Sequence, residues 1–320
     1  MVSIQDIKAQ LTGLKRYGSG LVGVFVGGTS GIGESTAREF VRYAVKPRIY
    51  LVGRSQEQAD LLKQEFQILN PESQINFIKS DVAQLRNVDA VCEEIKAKDD
   101  KINLLCLSAG IMTLKGRDET PEGLDKKLSL HYYSRLRFTQ NLLPLLNNAA
   151  NSSGDISVKP LARVLSVLGA TLESPVNLKD LDLKTTYSIS NAANHAITMT
   201  TLSFHKLAQS NPGVTFIHSQ PGGVNTNLLR TFPGWVKFAF DKTAWMLKPW
   251  MVPIQESGER HVWASTNDEF GREKVVLVWQ DSKAHTNPKV DAMMKDVTMD
   301  KVFEHTEDVF RKVCKEDGKF

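Results

Sequence analysis

One stretch of this chain constrains its fold more than any other. FVGGTSGIGEST, residues 25–36, places Gly27, Gly31 and Gly33 between an apolar run and an amphipathic one. Glycines at that spacing allow a tight turn and let backbone N–H groups approach a pyrophosphate at the head of a helix. Taken alone the spacing says little, since glycines also close ordinary turns. Its position after the first β-branched run and before a helical pattern makes a dinucleotide cradle the natural reading, with Ser30 and Ile32 inside the turn.

The alternation that frames this turn continues along the chain. Short apolar runs stand at 21–26, 48–52, 74–78, 102–107, 163–167, 214–218 and 274–279, and helical patterns at 32–43, 56–69, 88–97, 122–147 and 188–209 lie between them. This predicts βαβ units: an α/β fold with a Rossmann-type, doubly wound, seven-stranded parallel sheet. Residues 1–320 read as a single domain, with a leading helix in 1–20, a variable substrate lid over 227–253 and a C-terminal helix over 289–315. The tract 147–155 (NNAANSSGD) reads as a surface turn and not as a linker.

Bulk properties exclude several function classes. The net charge of +4 is spread among both signs, so no nucleic-acid stripe is present and a small molecule is the expected partner. Cys92, Cys106 and Cys314 are far apart and odd in number, with Cys106 inside an apolar run. That argues for a reducing, cytoplasmic setting without a disulfide framework or a metal centre. The first twenty residues are polar and amphipathic and lack the apolar core of a signal peptide. The aromatic-rich tract 232–253 is interrupted by Lys237, Asp241, Lys242 and Lys248, well short of the ~20 apolar residues a membrane span needs.

The second run ends LVGRS, where Arg54 stands in the place of the carboxylate that would bind a ribose hydroxyl, with Ser55 beside it. A guanidinium can hold a 2′-phosphate bidentately, which favours NADP(H); a solvated surface arginine is the alternative. After the third run, Asp81 and Val82 sit where an adenine edge would lie, although Asp81 also suits a helix cap.

The glycine turn, the Asp81-Val82 pair, LSAG at 107–110 and PGGVNT at 221–226 together resemble the motif series of the short-chain dehydrogenase/reductase superfamily, in order and over most of the chain. HYYSRLRFTQNLLPLL and YSISNAANHAITMTTL look most like fungal members associated with small-molecule, secondary metabolite biosynthesis. The resemblance implies that Ala109 and Gly110 line the cofactor ribose and that Pro221, Gly222, Val224 and Thr226 cover the nicotinamide. It also implies a homo-oligomer through the two long helices. Leu107 and Ser108 replace two frequent asparagines before the Ala-Gly.

That family's tetrad is Asn, Ser, Tyr and Lys, and only Tyr187 matches cleanly. His131 falls at the Asn position, Leu168 and Gly169 where serines normally stand, and Asn191 at the Lys position, where the cofactor ribose is usually bound. A free tyrosine ionises near pH 10, so forming tyrosinate at pH 7 costs roughly 4 kcal/mol. Oxidation, which needs a base, suffers most from the missing lysine; reduction needs only a proton donor. His131 reads either as an acid or base beside the nicotinamide or as a filler of the asparagine's space. His195, on the Tyr187 helix, reads as a packed structural histidine. Trp235, Phe238, Phe240, Trp245, Met246, Trp250 and Met251 suit a bulky apolar ligand or an oligomer contact. The leading expectation is an NADPH-dependent reductase of a carbonyl or activated double bond in a hydrophobic biosynthetic intermediate. A redox-neutral cyclase or isomerase and a non-catalytic NADP(H)-binding protein are the alternatives.

Overall fold

The computed structural model describes residues 1–152, 158–224, 251–272 and 274–320. Seven parallel strands build one sheet: β1 (Val22–Val26), β2 (Arg48–Gly53), β3 (Gln74–Lys79), β4 (Leu104–Leu107), β5 (Arg163–Val167), β6 (Thr215–Ser219) and β7 (Val275–Val278). Their order is β3-β2-β1-β4-β5-β6-β7, and a two-residue strand β8 (Ala284–His285) pairs antiparallel with β7 as an eighth. The sequence reading has no β8, because two exposed residues carry no apolar period.

Side chains alternate across the sheet as the pleat requires. Val22, Val24 and Val26 of β1 and Leu105 and Leu107 of β4 face one core, while Phe25, Leu104 and Cys106 face the other. The first core is covered by α4 (Leu85–Lys96), α5 (Ser134–Asn151) and α6 (Ile189–Ser210); the second by α2 (Gly31–Tyr43) and α3 (Gln56–Leu69). The chain opens with α1 (Ile4–Leu11) and a 3₁₀ turn at Leu14–Tyr17, in place of one leading helix.

Three helical segments differ from the sequence reading. The pattern at 122–147 begins only at Lys126, because Asp125 caps Lys127 and Leu128 there. Glu122 instead turns away to accept the first free amides of α4, Leu85 N–H at 2.6 Å and Arg86 N–H at 3.0 Å. A π-helical turn at Ser129–Tyr133 then leads into α5. A further helix, α7 (Ile254–Thr266), follows the lid region and lies against α2, where Ser35 Oγ donates to Ile254 O at 2.7 Å. A β-carbon at Gly258 would meet Ser35 O at 2.5 Å, so the two backbones touch. The C-terminal pattern divides into α8 (Pro288–Lys295), α9 (Thr298–Phe310) and a π turn at Arg311–Lys315, the break falling where Asp296 accepts the Thr298 N–H at 2.6 Å. No helix among the described residues is long and apolar enough to cross a membrane.

Candidate active site

The glycine turn runs hard against the carboxyl end of β4. Gly27 has φ +84°, and a β-carbon there would lie 2.7 Å from Ala109 N. On Gly33 it would lie 2.1 Å from Ser108 Oγ and 2.6 Å from Gly27 O, so only glycine fits. Ser30 makes no side-chain cap, which leaves the first N–H groups of α2 at Gly31, Ile32 and Gly33 without an acceptor among the described residues and the positive end of the helix directed at the turn. Ser108, far from weakening the site, donates to Val26 O at 3.1 Å and ties the two strand ends together. These features fit a diphosphate.

Arg54 is exposed at the end of β2 and makes no hydrogen bond or ion pair among the described residues. It lines a cleft of about 500 Å³ together with Lys79, Ser80, Asp81, Asn87 and Glu94. Ser55 accepts the Gln58 N–H at 3.2 Å and caps α3, which leaves its O–H able to donate. Asp81 accepts the Ala83 N–H at 3.2 Å, and Val82 is buried beneath it. On the opposite side, Pro221 and Gly222 follow β6, Gly222 with φ +75°, and Val224 bridges to Val252. Thr226 and the aromatic tract from Trp235 to Trp250 lie outside the described residues; Met251 and Val252 are half-buried.

Tyr187 sits just ahead of α6 at the end of a short, tightly held loop. The Asp180 carboxylate accepts the amides of Lys184, Thr185 and Thr186 and both threonine hydroxyls, which hold its carboxyl well below the usual carboxylate range against the opposing effect of desolvation. Ser188 then caps α6 by accepting the Asn191 N–H at 3.0 Å. The Asn191 amide donates to Thr186 O at 2.7 Å and is exposed. The ammonium of Lys127 does reach the tyrosine: Nζ donates to Tyr187 Oη at 2.6 Å and to Lys115 O at 2.9 Å, and it lies 5.3 Å from the centre of the phenol ring.

Sequence reasoning missed Lys127. The available signal was its spacing: it precedes His131 by four residues in a helical pattern, which puts both on one face.

His131 projects from the π turn with Nε2 accepting the Ile111 N–H at 3.1 Å. Burial first, then the charges of Arg135 and Lys127, pull its pKa down to about 3, so the ring is neutral near pH 7. A β-carbon on Gly110 would fall 2.8 Å from that nitrogen, so the glycine admits the imidazole. Arg135 is buried and joins three segments. Its guanidinium donates to Leu130 O, to Ser166 Oγ and Val167 O on β5, and to Ala109 O after β4, all within 2.8–3.1 Å.

Gly169 donates its N–H to His218 Nε2 at 3.4 Å. His195 accepts the Asn177 N–H and donates to Leu181 O, both at 3.1 Å, which fastens the loop ahead of Tyr187 to α6.

Residues 22–237 match the family model described as short chain dehydrogenase. The chain belongs to the short-chain dehydrogenase family. It is 44% identical over 264 residues to an oxidoreductase of Emericella nidulans, covering 82% of this chain and 76% of that protein. It is also 38% identical over 271 residues to the oxidoreductase andH of Emericella variicolor, covering 84% and 77%. Among solved structures, the NADPH-bound carbonyl reductase from chicken fatty liver shares the fold with a TM-score of 0.59 at 17% identity, over 84% of this chain and 99% of that one. In this short-chain dehydrogenase the glycine turn lies against the end of β4, and Tyr187 accepts a hydrogen bond from Lys127.

Proposed function

We propose that this family member is an NADPH-dependent reductase acting on a carbonyl or activated double bond of a hydrophobic biosynthetic intermediate. The observation that carries this reading is the hydrogen bond at Tyr187: Oη accepts from the Lys127 ammonium, so the phenolic proton is not given to Lys127 and is available to a substrate oxygen. Bound NADPH would supply the hydride. Gly27, Ser30, Gly31, Ile32 and Gly33 would hold its diphosphate, and Arg54 the 2′-phosphate. Asp81 and Val82 would border the adenine, Ala109 and Gly110 the ribose, and Pro221, Gly222, Val224 and Thr226 the nicotinamide.

The NADPH- and NADP-bound reductases that share the fold, such as L-sorbose reductase from Gluconobacter frateurii, support the choice of cofactor. An apolar substrate is supported by Met112, Leu114, Leu172 and Ile189. These are exposed on the segments leaving β4 and β5 and on the first turn of α6. His131, neutral and already accepting a backbone amide, positions the 110–111 segment and donates no proton.

Anaerobic incubation with NADPH deuterated at the transferable position, offered candidate intermediates, tests the reading. Deuterium in the product supports reduction; a product of unchanged mass means rearrangement and overturns it. Arg54→Asp is expected to weaken NADP binding by at least about tenfold more than NAD binding, measured by calorimetry on nucleotide-free protein. Equal losses would remove the 2′-phosphate from Arg54.

A further inference from the structure

We propose that Lys127 is a catalytic cation of this site, taking up from a separate helical turn the charge partnership with the tyrosine oxygen that Asn191 cannot provide. The inference rests on the reductase reading above.

Lys127 is only 6% exposed, yet it forms no ion pair with a carboxylate among the described residues. Its nearest acid in sequence, Asp125, is committed elsewhere: one oxygen accepts the backbone N–H of Lys127 and Leu128, and the other accepts the Asp118 N–H. A lysine that merely filled space would extend its four-carbon stem and place the ammonium in water. Here the stem turns inward and ends on two neutral oxygens, a carbonyl and the phenol. Burying an ammonium without an anion is costly, and the cost falls when an anion forms beside it.

Another buried cation, Arg135, adds to the positive field beside His131 but has already distributed its N–H groups to Leu130, Ala109, Ser166 and Val167. The field of the pair is evident at His131, where both charges add to burial in opposing protonation. Among the described residues, Tyr187 is the one ionisable group that Lys127 Nζ contacts, so negative charge can form beside it there. As hydride reaches the substrate carbon, the Tyr187 O–H bond breaks and its proton passes to the substrate oxygen. Bound NADPH, held by the glycine turn and Arg54, would supply the hydride and become NADP⁺, and the phenolate stays beside Nζ until solvent water reprotonates it.

The test uses the full chain. Lys127→Met keeps the length of the side chain and removes the charge, so the fold is expected to survive without loss of melting temperature. Turnover with NADPH and a panel of hydrophobic ketones and aldehydes is expected to fall by roughly 10²-fold, with KM for NADPH little changed. Lys127→Arg is expected to retain a clear part of the rate, and Lys126→Met to leave it intact. A folded Lys127→Met within twofold of the unaltered chain would overturn the proposal.

A second readout needs no substrate. In protein labelled with ¹³Cζ-tyrosine, the resonance deleted by Tyr187→Phe is expected to move in Lys127→Met and in Lys127→Gln. An unmoved resonance also overturns the proposal, even if one variant fails to fold. Should the unaltered chain transfer no deuterium to any carbonyl probe, the reductase reading falls, and this resonance alone decides whether Lys127 is the charge partner of Tyr187.

Discussion

At Gly169, where the resemblance predicts a serine, a β-carbon would lie 2.6 Å from Ile197 Cδ1 and 3.0 Å from its Cγ1. The space that a serine would take is filled by a side chain of α6, so local packing leaves no room for its hydroxyl. Restoring it is therefore expected to destabilise: Gly169→Ser should cost about 1–3 kcal/mol, the range for overpacking a filled site. Pairing it with Ile197→Val should recover most of that loss. Urea unfolding of the single and double variants checks this, and a Gly169→Ser protein as stable as the parent would refute it. Tyr187 itself was legible from its motif. Lys127 was not, because its role depends on a contact between residues sixty positions apart, and a single sequence records no such pairing.

At the scale of an element, the segment from Asp180 to Ser188 acts as a mount for the tyrosine. Asp180 gathers the amides of Lys184, Thr185 and Thr186, Ser188 starts α6, and His195 pins the loop from within the helix. Ser188→Ala is expected to cost about 1 kcal/mol of stability, the usual loss for a helix N-cap, as read by urea unfolding. Asp180→Ala frees three amides and two hydroxyls at once, so its effect should exceed that of Ser188→Ala both in stability and in turnover. An Asp180→Ala protein with full turnover would show that the loop does not position Tyr187. The cap at Ser188 follows from local sequence rules. The divided helix between Lys126 and Asn151 does not, because Glu122 is drawn off to cap α4 and the π turn forms where Tyr132 and Tyr133 are buried together.

For the whole molecule, histidines kept neutral by burial set an acid limit, His218 and His261 among them. Burial is the main cause that pulls His218 down to about 3 and His261 down to about 4; the charge of Arg135 adds to it at His218, and a hydrogen bond to Ser257 O opposes it at His261. The unfolded chain binds these protons near pH 6.5, so each ring contributes stability that is complete above that value and is lost as the pH falls toward the folded-state value. Between pH 8 and pH 5 the loss is about 2 kcal/mol for each. The urea midpoint is expected to drop sharply over that interval, and a midpoint independent of pH would sink the assignment. His218 owes its surroundings to Thr201 and Arg135, distant in sequence, whereas His261 bonds Ser257 O one helical turn back; the burial of both is decided by tertiary packing.

What the chain declares by itself is periodic or local: the strand and helix alternation, the glycine turn and the tyrosine, because each is dictated by residues a few positions apart. What tertiary structure alone decided is which distant polar groups meet. Lys127 reaches Tyr187, Arg135 joins the ends of β4 and β5, and α7 lies on α2 because folding brings distant segments into a space with little water, where every polar group must find a partner.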